Sequence, residues 1–104
     1  MSLILQYDRA IEDYNKAIAL DQNRAMAYNN RGRVYYYKGQ YERAIEDYNK
    51  AIVLDPNYAD AYNKRGLAYE KLENKSMAIS DFQKVCDLGL ESGCENLQRV
   101  LRQR

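Results

Sequence analysis

Apolar residues run along this chain in stripes. In the first stretch they occupy Ala10, Ile11, Tyr14, Ala17 and Ile18, which are positions i, i+1, i+4, i+7 and i+8. That spacing follows the turn of a helix and gives it one core-facing side. The same stripe returns further on. The segment from Tyr7 to Ile18 recurs from Tyr41 to Ile52 at an offset of 34, with one conservative difference in twelve positions. Ala78, Ile79, Asp81, Phe82, Lys84 and Val85 form a weaker third copy at the same offset. A second element has the same period. Ala27-Tyr28-Asn29-Asn30-Arg31-Gly32 matches Ala61-Tyr62-Asn63-Lys64-Arg65-Gly66, and Tyr35 matches Tyr69. A fixed period of this length is the mark of stacked helical units. The pattern predicts helices near 6–20, 25–37, 41–54, 59–72, 75–88 and 91–103.

The punctuation agrees. Gly39 offers a left-handed stop after the second helix. Asp55-Pro56-Asn57 offers a capping carboxylate and a proline suited to a first helical turn. Glu12–Lys16 and Glu46–Lys50 have the i,i+4 spacing of surface ion pairs, about 0.2–0.5 kcal/mol each. Gly32 and Gly66 stand inside predicted helices, where glycine costs about 1 kcal/mol against alanine. Close approach to the small Ala44 or Ala78 of the following helix would offset that cost. The last segment leaves the period but stays amphipathic, with Leu90, Cys94, Leu97 and Leu101 on one side. Arg99, Arg102 and Arg104 complement the negative end of that helix.

Tyr28, Gly32, Tyr35, Ala44, Tyr48, Ala51 and Pro56 follow the order of small and aromatic residues of the tetratricopeptide-repeat family, which the chain resembles over roughly residues 7–90. Tyr62, Gly66, Tyr69, Ala78, Phe82 and Val85 repeat that order, with Leu90 at the proline position. Ala10, Tyr14 and Ala17 supply only a second helix, with Gln22 at the proline position. The resemblance implies an all-α fold, an α-solenoid of antiparallel helix pairs in a right-handed superhelix. Its expected parts are the second helix of a truncated repeat (1–24), two repeats (25–58 and 59–90) and a capping helix (91–104). Arg31 and Arg65 replace the family's usual large apolar residue before the glycine. Because the replacement is itself repeated, it reads as structural, with Asp13, Asp47 or Asp81 as partners.

In this family the first helix of each repeat lines a concave groove that holds peptides or partner helices. On the helix of residues 25–37 the positions opposite Tyr28, Gly32 and Tyr35 are Met26, Asn29, Asn30, Arg33, Tyr36 and Tyr37, within roughly 80° of Met26 at 100° per residue. The next repeat gives Asp60, Asn63, Lys64, Leu67, Glu70 and Lys71. Met26, Asn29, Asn30, Arg33, Tyr36, Tyr37, Asp60, Asn63, Lys64, Leu67 and Lys71 are therefore the expected partner-binding residues. Asparagine offers a peptide backbone both a donor and an acceptor. Arg33, Lys64 and Lys71 suit a carboxylate. Tyr36 and Tyr37 fall outside the repeated pattern, and exposed aromatics often anchor interfaces. One branch of the family clamps the two carboxylates of chaperone C-termini with a Lys/Asn pair, an Asn and two basic residues on successive groove helices. Asn30 and Lys64 fit two of those positions. Asp60 stands where the other basic residue belongs, and the helix for the first pair is missing, so a clamp is not the expected use.

Composition narrows the function. Of the 104 residues, eleven are tyrosine and none is histidine, which excludes histidine-based catalysis and imidazole metal ligands. Eight of those tyrosines are repeat pairs and belong to packing. Sixteen basic residues against fifteen acidic ones give a net charge of +1, a poor match for a polyanion binder. The groove mixes cations with Asp60 and Glu70, so nucleic acid is an unlikely partner. No apolar run approaches the ~18 residues of a membrane helix. Two cysteines, Cys86 and Cys94, are too few for a disulfide scaffold and read as small buried thiols in a cytoplasmic protein, with a bridge as the alternative because they lie at the end of one predicted helix and the start of the next. The duplicated neighbours Glu12-Asp13 and Glu46-Asp47 point apart on a helix and make no catalytic pair. The expectation is a protein- or peptide-binding module that is not an enzyme and uses no cofactor or metal. The contrasting reading is a scaffold that associates with itself through its array ends.

Overall fold

The computed structural model describes residues 2–103, so Arg104, expected with Arg99 and Arg102 at the last helix end, lies outside the described residues. Six helices follow one another: α1 (Leu3–Leu20), α2 (Ala25–Tyr37), α3 (Tyr41–Leu54), α4 (Ala59–Lys71), α5 (Lys75–Asp87) and α6 (Glu91–Leu101). Helix α1 begins earlier than periodicity places it because Ser2 caps it. The Ser2 hydroxyl accepts from the Leu5 N–H at 3.2 Å, satisfying one of the helix's orphan donors. Gly39 ends α2 with φ at 81°, and its N–H donates to the Tyr36 carbonyl. One repeat later the same left-handed position is held by Glu73, with φ at 60°. Pro56 departs from expectation. It stands in the turn before α4 and not in its first helical turn, while Asp55 takes the Asn57 N–H at 3.2 Å.

Each helix packs on the next in sequence, and α2 also touches α4. The result is an all-α helical-repeat solenoid, 39 × 29 × 19 Å. So thin a body has no single centre, and the core lies in the seams between repeats. One seam holds Tyr28, Ala51 and Ala61 with Ile18, Ile52 and Tyr58 around them. The other holds Ala78, Phe82, Leu97 and Val100. Tyr58, without a role in the sequence pattern, is thereby assigned to the first seam.

The mid-helix glycines face aromatic rings more than the alanines anticipated. A Cβ on Gly32 would lie 2.8 Å from Tyr48 Cε1 and 3.2 Å from the Ala44 carbonyl oxygen. A Cβ on Gly66 would lie 2.6 Å from Phe82 Cε1. Tyr48 and Phe82 are fully buried. Only glycine allows helix and ring to meet this closely, which offsets its poor helix propensity.

Beside each glycine, an arginine reaches the following helix. Arg31 donates through Nε and Nη2 to both oxygens of Asp47, at 2.9 and 2.6 Å, and through Nη1 to Asn15 at 2.9 Å. Arg65 does the same to Asp81, at 2.9 and 2.7 Å, and to Asn49 at 2.8 Å. Each arginine thereby ties three consecutive helices together. The guanidinium of Arg31 also lies 5.7 Å from the Tyr28 ring centre, and that of Arg65 lies 5.4 Å from Tyr62. Lys50 stands over Tyr28 at 5.9 Å, where sequence spacing had placed it with Glu46. The tyrosines reach further still: Tyr28 and Tyr62 donate to the carbonyls of Gln22 and Pro56, holding the inter-repeat turns. Burial pushes the Asp47 carboxyl above the ordinary range, against the pull of Arg31. The hydrogen bond to Asp47 in turn raises Arg31.

The two cysteines correct the sequence reading. Cys86 and Cys94 form a disulfide, with their Cα atoms 4.6 Å apart. The end of α5 and the first turn of α6 meet here because Gly93 has no side chain. A Cβ there would lie 2.5 Å from Val85 Cβ and 2.6 Å from the Cys86 nitrogen.

Three outcomes are expected. Arg31→Leu should cost about 3 kcal/mol at neutral pH by leaving Asp47 buried and unpaired, and adding Asp47→Leu should recover most of it. The pH dependence has a definite sign. Without Arg31, the folded-state value for Asp47 rises further above its unfolded one, so its ionised form opposes folding. That penalty fades as pH falls through the folded-state value, so denaturant midpoints of variant and parent should converge on acidification. A gap that stays constant or widens would refute the fork. Second, the Tyr48 hydroxyl is buried with no hydrogen-bond partner among the described residues. Tyr48→Phe, which copies Phe82, should be neutral or stabilising by up to about 1–2 kcal/mol in thermal melts. Third, the bonded cysteines are 8 residues apart, a loop whose closure is worth about 2.5 kcal/mol on chain-entropy grounds. A reductant should lower the parent's stability by that order and leave a Cys86→Ala/Cys94→Ala protein unmoved.

Candidate concave binding face

Helices α2, α4 and α6 lie side by side and are joined by polar contacts along one face. Asn29 donates its side-chain amide to Asp60 at 2.8 Å, linking α2 to α4. Asn96 donates to the Asn63 carbonyl oxygen at 2.9 Å, linking α6 to α4. Arg99 forks onto Glu70 with both bonds at 2.6 Å. These contacts make one continuous surface of three helices from α2 to α6.

It holds a hollow of about 430 Å³ lined by Tyr36, Leu67, Glu70, Lys71, Arg99 and Gln103. Leu67 forms an apolar patch there, backed by the Phe82–Val100 cluster. Tyr36 is half-buried against Tyr41 and Tyr37, at ring separations of 5.3 and 5.5 Å. Burial raises its hydroxyl above the ordinary tyrosine range, so it stays a neutral donor at neutral pH. Tyr37 is 55% exposed and stacks on Tyr7 of α1 at 6.4 Å. It therefore looks away from the hollow, toward the front of the array.

The other candidates divide. Met26, which is exposed, and Asn30 line a smaller front cleft of about 150 Å³ with Tyr14, Ala17, Arg24 and Ala27. Arg33 is exposed, and Lys64 is half-buried. Neither they nor Lys71 takes part in a hydrogen bond or ion pair among the described residues. Asp60 and Asn63 are engaged as acceptors, as above. Asn29 needs correction. It is only 2% exposed, and its amide is committed to Asp60. Helix α4 covers the sector of α2 that a helical wheel leaves open, and Asn29 joins the two helices there.

Charge on this face is unevenly used. Glu70 is neutralised by Arg99, and Asp60 faces the uncharged Asn29. Arg33, Lys64 and Lys71 remain without acidic partners. The face therefore offers separated cations around an apolar and aromatic floor, which suits carboxylates on an extended chain. Arg99, Glu70 and Gln103 were absent from the sequence-based set. Glu70 was placed in the groove by its helical sector but not among the partner-binding residues. Arg99 and Gln103 follow the break in periodicity, and no sequence signal places them here.

Two family patterns match the chain. One described as TPR repeat covers residues 6–37 and 32–73, and one described as Tetratricopeptide repeat covers residues 59–88. No curated protein matches it at a significant level. Among solved structures, the chain is similar to the second TPR domain of human RPAP3 in complex with the HSP70 peptide SGPTIEEVD. The identity is 34%, 93% of this chain and 82% of that one are covered, and the TM-score is 0.86. It is similar to the first TPR of Spaghetti (RPAP3) bound to the HSP90 peptide SRMEEVD, at 27% identity, with coverages of 93% and 79% and a TM-score of 0.88. The Arabidopsis OM64 TPR domain matches at 27% identity, with coverages of 93% and 82% and a TM-score of 0.89. No helix among the described residues is long and apolar enough to cross a membrane.

Proposed function

This chain belongs to the tetratricopeptide-repeat family, and we propose that it is an interaction module that holds an extended acidic peptide on the face of α2, α4 and α6 and performs no chemistry of its own. The observation that carries this reading is the set of cations Arg33, Lys64 and Lys71, which no acidic group among the described residues engages. Two of the similar structures hold peptides ending in EEVD, acidic segments of the kind these cations suit. Asp60 argues for a different placement of the peptide's carboxylates from that of a two-carboxylate clamp. Its charge repels an anion at the α2–α4 contact and directs acidic side chains toward Lys64, Lys71 and the hollow beside Leu67. Tyr36 would donate to the peptide, and Leu67 would receive one apolar side chain. In the reducing cytoplasm that this reading assumes, the thiol pool acts on the Cys86–Cys94 pair.

The peptide SRMEEVD is a direct probe. Labelled at its N-terminus and titrated with the protein, it should show saturable anisotropy that weakens as salt is raised. Lys64→Ala and Lys71→Ala should each weaken binding by about tenfold, which is ~1.4 kcal/mol, with circular dichroism unchanged. Binding indifferent to both substitutions, or absent at low salt, would defeat the reading.

A further inference from the structure

Four side chains of α4 form a line. Asp60, Lys64, Leu67 and Lys71 are spaced i, i+4, i+7 and i+11, so they fall within about 60° of one another around the helix. Helix α4 is the middle one of the three that make the face, joined to α2 through Asn29–Asp60 and to α6 through Asn96–Asn63 and Arg99–Glu70. The line therefore runs along the centre of the face. Asp60 and Lys71 are exposed, and Lys64 and Leu67 are half-buried. Asp60 is the odd member. Its Oδ2 accepts from the uncharged amide of buried Asn29 at 2.8 Å, which orients the carboxylate and leaves its charge in place. No ion pair engages it among the described residues, although Lys64 stands one turn away. The repeat does not dictate it either, since Met26 and Cys94 hold the matching positions one period before and after.

At a helical rise of 1.5 Å per residue, Lys64 lies about 6 Å and Lys71 about 16.5 Å beyond Asp60. An extended chain advances about 3.3 Å per residue. Two of its residues span the first distance, and five span the second. We propose that the face selects an extended peptide that runs along α4 and carries a basic residue over Asp60, an acidic residue two positions later at Lys64, and another acidic residue five positions after the basic one at Lys71. This rests on the acidic-peptide reading of the face and adds to it a cation that purely acidic segments lack. Asp60 is the specificity-determining residue. SRMEEVD has the whole order: an arginine, a glutamate two positions on and an aspartate five positions on, with a valine between them for Leu67. SGPTIEEVD has threonine where the arginine would stand. A face that answered only to overall charge would rank peptides the other way. Its unpaired cations Arg33, Lys64 and Lys71 would favour a peptide that had lost its arginine.

The test has unlabelled peptides compete with labelled SRMEEVD for the full chain. SRMEEVD should compete about fivefold better than SAMEEVD and at least about tenfold better than SEMEEVD. RSMEEVD, of the same composition with its arginine one position early, should fall to the level of SAMEEVD. Asp60→Asn keeps an acceptor for Asn29 and should erase the difference between SRMEEVD and SAMEEVD. Asp60→Lys should reverse the order, so that SEMEEVD competes better than SRMEEVD. The peptide series on the parent needs no substituted protein, so a variant that fails to fold leaves the test standing. SAMEEVD or SEMEEVD competing as well as SRMEEVD, or an arginine preference that survives Asp60→Asn, would overturn the selection and leave the acidic-peptide reading in place. No saturable binding of labelled SRMEEVD would overturn both.

Discussion

The approach of an aromatic ring to a bare helix backbone organises this molecule. Tyr48 lies where any Cβ on residue 32 would be 2.8 Å from its Cε1, and Phe82 repeats the contact with Gly66. Neither helix pair can reach that separation with a larger residue. The glycine makes α2 and α4 worse helices by about 1 kcal/mol each. Tight packing of a fully buried aromatic side chain outweighs this, since such burial is worth roughly 1.5–3 kcal/mol. Once the distance is set, the register follows. The residue before the glycine points at the next helix at hydrogen-bond range, and in both repeats it is an arginine opposite an aspartate.

The arginine–aspartate fork is best understood as a consequence of that closeness. Burying a carboxylate as deeply as Asp47 or Asp81 carries a desolvation penalty. It is offset here by two bonds from one rigid guanidinium, a third from that guanidinium to an asparagine, and an aromatic ring beside it. An apolar pair of similar volume would fold as well or better. What the ionic version adds is register: a fork accepts one axial alignment of two helices, while leucine against leucine accepts several. The same logic separates Glu70 from the cations near it. Its carboxylate is held by α6 through Arg99, so α6 sets the charge of the face as well as covering the last seam.

Legibility in the sequence follows what the repeat duplicates. Helices, the packing role of eight tyrosines and the Arg31 and Arg65 partnerships could be read because each occurs at least twice at one offset, and coincidence does not repeat at 34 residues. Features that occur once were hidden. The places of Cys86 and Cys94 at adjoining helix ends left a bridge open without deciding it, and the decision rests on Gly93, which brings α6 down onto Val85. Arg99 belongs to a segment out of period, so no earlier copy indicates where it points. Asn29 shows a different limit. A helical wheel orders side chains about one axis and is blind to a neighbouring axis, and α4 covers a sector that the wheel leaves in solvent.

The repeat also supplies an internal control on what sequence alone can decide. Tyr14 and Tyr48 stand in segments that differ at one position in twelve, and both segments are helical. Local propensity and pattern therefore fix the helix equally well in both. Yet Tyr48 is fully buried and Tyr14 is not, and Asp47 is forked while Asp13 faces solvent. Among the described residues, the difference lies in helix α2, which brings Gly32 onto the Tyr48 ring and Arg31 onto Asp47. In a linear array, each unit's stability contains a term for its own fold and a term for each neighbour. Helix α1 has its own term and the α2 interface, but not the glycine contact that fixes α3.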